Sequence, residues 1–139
     1  TSGDDDDMAR ARDSFLATGA YAPLREAIVQ IAPPGIRRIL DIGCGTGYYL
    51  AGLLEQREDA HGLGVDTSVR ALRFAARSHE RAAAASWDVF APFPLADDSA
   101  DLVLDVFAPR HPEEFARVLA PGGHLLVVRP APDHLEQLR

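Results

Sequence analysis

The stretch LDIGCGTGYYL, residues 40–50, sets an acid, Asp41, beside three glycines at alternate positions, Gly43, Gly45 and Gly47. Glycines so spaced exclude side chains and let a ligand approach the backbone closely. Two more acids stand in comparable places. Asp66 ends the apolar run HGLGVD, and Asp88, followed by Val89, comes after AAASW. A carboxylate at the tip of a second strand accepts both hydroxyls of a ribose, so the loop and Asp66 together describe a nucleoside-type ligand. Phosphate-bearing ligands fit poorly. A dinucleotide loop needs G-x-G-x-x-G, and Tyr48 stands where its last glycine belongs; a phosphate loop needs Gly-Lys-Ser/Thr, and the chain has no lysine. Structural readings compete at each position. The glycines would also let a helix pack tightly on a sheet, Asp66 would suit a helix N-terminus, and Cys44 reads as a small packed hydrophobe rather than a nucleophile.

The elements that must position these residues alternate. Helical spacing is visible over Ala9–Thr18 and in YAPLREAIVQIA, which PPG at 33–35 stops. RRILDIG is a short buried strand, and YYLAGLLEQR a helix. HGLGVD is a second strand, after which Thr67 or Ser68 can cap the helix VRALRFAARSHERAA. AAASWDV is a weak third strand and ADLVLDVF a fourth. PEEFARVLA is a helix ending at PGG, HLLVVRP a fifth strand, and PDHLEQLR the start of a last helix. Such alternation predicts an α/β fold: a doubly wound, mostly parallel five-stranded sheet, Rossmann-like, in the order 3-2-1-4-5. Ligands of such sheets bind at the carboxyl ends of the strands, beside strand one, where the glycine loop lies.

Bulk properties bound the rest. The 139 residues suit one core, with 47 % apolar and 25 % charged residues. No apolar run approaches the ~20 residues of a membrane span, so no membrane partner is expected. The acidic start TSGDDDDM is unlike a secretory leader, and Cys44 is the single cysteine, which excludes a disulfide framework or a Cys-based zinc site in this chain. A cytoplasmic setting is the expectation, with residues 1–8 as a disordered acidic lead-in. The net charge of −7 argues against this chain holding nucleic acid by itself, because phosphate neutralisation supplies most non-specific affinity.

The spacing D-x-G-x-G-x-G resembles the first motif of class I S-adenosylmethionine (SAM) methyltransferases. That resemblance implies a backbone cradle for the methionine part of the cofactor, with Asp41 ordering the loop or meeting the ammonium. It also implies that Asp88 takes the adenine amino group while the Val89 amide meets the ring. Further segments, MARARDSFLATGAYAPLREAI, DVFAPRHPEEFARVLAPGGHLLVV and PAPDHLEQL, together resemble the RlmA/TlrB family of 23S ribosomal RNA guanine-N1 methyltransferases. This implies cofactor contacts from Tyr21 and His134, and from Gly45 and Thr46 within the loop. The implied cofactor set is then Tyr21, Asp41, Gly43, Cys44, Gly45, Thr46, Gly47, Asp66, Thr67, Asp88, Val89 and His134, with S-adenosylhomocysteine (SAH) as product. The family also carries an N-terminal zinc module and a further C-terminal region, neither matched here. Residues 9–139 therefore read as the SAM-binding core alone. The resemblance implies 23S rRNA as partner of an intact relative and macrolide-type antibiotic resistance as a family role. Alternatives are a SAM-binding fragment without activity and a small-molecule methyltransferase.

Methyl transfer from a sulfonium mainly requires alignment, but a guanine N1 also has a proton to lose. The end of the fourth strand, DVFAP, is the place for acceptor contacts. Asp105 is the candidate catalytic acid there, as base or as orienter of the acceptor, against a preferred reading as a structural hydrogen-bond acceptor. Phe107 is a candidate for stacking on a flipped base, or for core packing. Arg70, Arg73, Arg77 and Arg81 share a helical stripe whose usual explanation is a solvated face with ion pairs.

Overall fold

The computed structural model describes residues 21–129. The acidic lead-in, the helix expected over Ala9–Thr18, the last helix and His134 lie outside the described residues. Five strands, β1 (Arg38–Ile42), β2 (His61–Asp66), β3 (Ala82–Ser86), β4 (Ala100–Val106) and β5 (Leu119–Val128), form one sheet in the order β3-β2-β1-β4-β5. Every neighbouring pair is parallel. Four helices connect or flank them: α1 (Ala22–Ile31), α2 (Tyr48–Gln56), α3 (Val69–Arg77) and α4 (Pro112–Val118).

The central strand is apolar on both sides because both faces are covered. Ile39 joins Leu102 and Leu104 in a layer packed against Ile28 of α1 and Leu50, Leu53 and Leu54 of α2. Leu40 and Ile42 point the other way, with Val65 and Val103, onto Phe115 and Val118 of α4 and onto Val89 and Phe93 of the loop after β3. Each buried Leu, Ile or Phe in these layers contributes roughly 1.5–3 kcal/mol. The registers Ile42↔Val65, Ile42↔Asp105 and Asp66↔Ser86 bring the tips of β1, β2, β3 and β4 to one level. The chain leaves β3 at one edge and returns to β4 beside β1, which makes β1/β4 the topological switch.

Two boundaries differ from the sequence expectation. The third helix stops at Arg77 instead of running through HERAA, although alanine is the best helix former. The alanines pair with β2 instead, Gly62↔Ala82 through Asp66↔Ser86. The intervening turn is pinned by Arg81, whose guanidinium donates to the carbonyls of Leu54, Arg57, Glu58 and Ala60 at the end of α2. Arg81 is thus a helix C-terminal cap and not a member of the cationic stripe. The ion pairs expected of that stripe do not form among the described residues: Arg70, Arg73 and Arg77 are in none of their salt bridges. The second difference is β5, which begins at Leu119 and carries PGG within it. Pairing runs Ala100↔Leu119 and then Leu102↔His124, so residues 120–123 bulge out of the ladder and Gly122 takes φ +79°.

Candidate functional site

The chain leaves β1 at Ile42 and turns into α2 through left-handed backbone at Gly43 (φ +62°), Gly45 (+54°) and Gly47 (+81°). The glycines divide their work. A Cβ on Gly43 would lie 2.8 Å from that of Ala108, so the loop is pressed against the turn after β4. A Cβ on Gly47 would lie 3.0 Å from the Ala75 Cα and 2.7 Å from the Ser78 hydroxyl. Gly47 therefore serves the packing of α2 on α3, which is the structural reading for that one glycine. The loop is held by Cys44 N–H to the Val65 carbonyl (3.0 Å) and Gly47 N–H to the Cys44 carbonyl (2.9 Å).

Above the strand tips lies a cavity of about 810 Å³. Its walls come from four strand ends: Asp41 and Gly43–Thr46 from β1, Asp66 and Thr67 from β2, Trp87–Phe90 from β3, and Val106–Pro109 from β4. Tyr21, Tyr48 and Tyr49 close the side toward α1 and α2. Of the residues expected at the cofactor, Tyr21, Asp41, Gly43, Cys44, Gly45, Thr46, Asp66, Thr67, Asp88 and Val89 are brought together here. Gly47 is not a lining residue, and His134 lies outside the described residues.

Asp66 accepts Gly45 N–H on Oδ2 (2.8 Å) and Ser68 N–H on Oδ1 (3.0 Å). One side chain thereby ties the glycine loop to the start of α3, and each oxygen keeps a lone pair for a ligand hydroxyl. The cap of α3 is Ser68, whose Oγ accepts Ala71 N–H (3.2 Å), so Thr67 is left on the rim. Asp88 accepts Phe90 N–H on Oδ1 (2.9 Å), a local turn that projects Phe90 to 68 % exposure.

Three lining residues carry buried polar atoms without a hydrogen-bond partner: Asp41 Oδ2, Thr46 Oγ1 and Trp87 Nε1. Native interiors leave few such atoms. Asp41 is 2 % exposed. Burial, then the charges of Asp66 and Asp105, push its carboxyl well above the usual carboxylate range. The Cys44 thiol is likewise pushed up, chiefly by burial, and packs with Leu72, Ala75 and Ala84. It packs as a small hydrophobe.

Asp105 is 1 % exposed and is not among the lining residues. Its Oδ1 accepts Ala108 N–H (3.0 Å) while Oδ2 has no partner, and burial raises its pKa. Phe107, in the turn it braces, lines the cavity at 55 % exposure with φ +59°. Such backbone costs a bulky residue of order 1–3 kcal/mol. Trp87, Phe90, Tyr48 and Tyr49 were not singled out from the sequence. Their signal was adjacency: each flanks a loop or carboxylate that was.

Glycine loop, carboxylates on successive strand tips and strand order together define a class I SAM-dependent methyltransferase core. Residues 39–123 match the family model described as a methyltransferase domain, and the chain belongs to that family. Among curated proteins it is 48 % identical over 140 residues to the 23S rRNA (guanine(748)-N(1))-methyltransferase of Streptomyces fradiae, covering 97 % of this chain and 50 % of that protein. It is also 34 % identical to a malonyl-[acyl-carrier protein] O-methyltransferase of Dechloromonas aromatica, over 84 % of this chain and 44 % of that one. The chain thus spans about half the length of the curated relatives it matches. Among solved structures, the methyltransferase complexed with the Haloferax volcanii Trm112 activator superposes with a TM-score of 0.72 at 26 % identity, covering 88 % of this chain and 58 % of that one.

Proposed function

We propose that this chain is the cofactor-binding core of a longer SAM-dependent enzyme that methylates N1 of a guanine in 23S ribosomal RNA. The observation that carries the cofactor reading is the buried, unpartnered Oδ2 of Asp41 in the cavity wall. A cationic donor is what such an acceptor lacks, and the α-ammonium of SAM or SAH is one. The acceptor reading rests on the 48 % identity to the Streptomyces fradiae protein.

When bound, SAM supplies a methyl group on a sulfonium with an excellent leaving group. In this reading Asp41 takes the ammonium, and Asp66 accepts the ribose hydroxyls while holding Gly45. Asp88 and the Val89 amide take the adenine edge, and the glycine-loop backbone over Gly43–Thr46, which lines the cavity, flanks the methionine part. Tyr21, Thr67 and His134 belong to the same set by resemblance. Residues 9–139 act as the core, and RNA grip falls to parts of a longer polypeptide. Location in the cytoplasm and macrolide-type resistance belong to the same reading.

The test has two stages. SAH should raise the stability of the chain by about 2.7 kcal/mol at a hundredfold excess over Kd; no shift overturns the cofactor reading. In the longer polypeptide, labelled SAM and unmodified 23S rRNA should then give a primer-extension stop at an N1-methylguanine. Binding without transfer would favour a SAM-binding module, a reading supported by the half-length match. Transfer to a carrier-protein thioester's free carboxylate instead would favour the chemistry named for the Dechloromonas aromatica relative.

A further inference from the structure

Phe107 combines features that nothing in the cofactor assignment uses. It is a large apolar side chain, 55 % exposed, in the wall of the cavity. Its backbone is left-handed, at φ +59°, where a bulky residue is a genuine outlier. The other described non-glycine residue with positive φ is Asp98, a residue type that tolerates it. Strain of this kind persists only where the surroundings impose it, and here the surroundings are visible. Phe107 N–H donates to the Val128 carbonyl of β5 (3.0 Å), and the next amide, Ala108 N–H, donates to Asp105 Oδ1 (3.0 Å). The methyl of Ala108 sits so close to Gly43 that no Cβ fits between them. The turn is therefore clamped from β5, from β4 and from the glycine loop, and the clamp leaves the aromatic ring in the open.

Strand order says what the ring faces. Asp66 and Asp88 lie at the tips of β2 and β3, on one side of β1; Phe107 lies at the tip of β4, on the other. A nucleoside read by the two carboxylates occupies the β2/β3 side, and the glycine loop at β1 separates it from Phe107. The second reactant has the β4 side left to it.

We propose that Phe107 is the acceptor platform of this site, stacking on a planar heteroaromatic ring, and that Asp105 is the positioning residue that holds it there through the Ala108 amide. The proposal rests on the methyltransferase reading and deepens it: it names a face-on π surface as what the acceptor side recognises, and it takes Asp105 out of proton transfer. Asp105 lies buried and outside the cavity wall: its Oδ1 is committed to a backbone amide, and its unpartnered Oδ2 is buried with it. A general base must instead reach the proton that it removes.

The experiment uses the 139-residue chain loaded with SAH and titrated with guanosine monophosphate, followed by saturation-transfer NMR and by the fluorescence of Trp87, the single tryptophan and a lining residue. Phe107→Ala should weaken guanosine monophosphate by roughly tenfold or more, the scale of one lost base–aromatic stack, and Phe107→Tyr should restore it. Asp105→Ala should weaken it as Phe107→Ala does. Asp105→Asn, which keeps an oxygen for Ala108 N–H, should rescue the affinity. Ribose 5-phosphate should be indifferent to all four variants. The platform is overturned if guanosine monophosphate does not bind the SAH-loaded chain, if Phe107→Ala leaves its affinity unchanged, or if that variant loses SAH to the same degree. The Asp105 role is overturned if Asp105→Asn behaves like Asp105→Ala. Failure of the wild-type chain to bind SAH at all is a different result, and it brings down the methyltransferase reading together with the platform.

Discussion

Replacing Asp41 with asparagine sets the stability of the free chain against its affinity for cofactor. Asp41 is 2 % exposed, its Oδ2 has no partner, and the charged groups acting on it are the acids Asp66 and Asp105. Burial first, then these two charges, raise its pKa well above 3.8. The folded chain therefore retains a proton that the unfolded chain releases. The contribution of Asp41 to stability is fully present below pH 3.8 and is lost as pH rises through the folded value. Asparagine keeps the shape and never ionises. Above that window Asp41→Asn should stabilise the free chain by about 1.4 kcal/mol for each unit by which the folded pKa is raised, because it removes a buried charge that has no cationic partner. Each kcal/mol is worth roughly 2–8 °C in Tm for chains near this size. The gain should vanish in acid. SAH should show the opposite effect, since a hydrogen bond to a charged group contributes about 1.5–3 kcal/mol. Its Kd should rise roughly 10- to 150-fold. Calorimetry in buffers of different ionisation enthalpy should also show a proton released when SAH binds the wild type and none for Asp41→Asn. A variant that melts lower than the wild type and binds SAH equally well would make Asp41 a satisfied structural acceptor and not the ammonium's partner.

Three further outcomes follow from other contacts. Asp66→Ala removes the acceptor of both Gly45 N–H and Ser68 N–H, and should weaken SAH by roughly 10- to 100-fold in calorimetry; unchanged affinity would confine Asp66 to holding the loop. Arg81→Met leaves the Leu54, Arg57, Glu58 and Ala60 carbonyls without their donor and should cost at least about 2 kcal/mol in urea unfolding, whereas a change within about 0.5 kcal/mol would mark it as an ordinary surface residue. Glu114 is held down to about 2, first by its hydrogen bonds to Arg117 and then by Phe93 N–H. Its stabilisation is present above pH 4.5 and is lost as pH falls toward 2, so Glu114→Gln should flatten the Tm–pH curve across that window.

Legibility in the sequence followed how local each signal was. Asp41, the glycines and Asp66 were readable because β1 and β2 are apolar runs ending in an acid; the cap of the next helix was readable only as Thr67 or Ser68, and the structure chose Ser68. β3 was blurred because four alanines carry no strand signal of their own; β2 recruits them through backbone pairing. Arg81 looked like one of four stripe arginines until its contacts across the sequence, with residues 54–60, identified it as a cap.

The order of apolar runs and breakers, with right-handed crossovers, was enough by itself to set the fold class, the strand order 3-2-1-4-5 and the strand tips at which a ligand sits. Only the tertiary structure decided which polar atoms stay unpaired and which way an aromatic ring faces. It satisfied Asp66 twice over, left Asp41 without a partner, and buried Asp105 beneath a turn that holds Phe107 open to the cavity. The physical reason is that burial and pairing are properties of neighbours distant in the chain. An aspartate reads the same in a sequence whether the fold hands it a backbone amide or only other carboxylates.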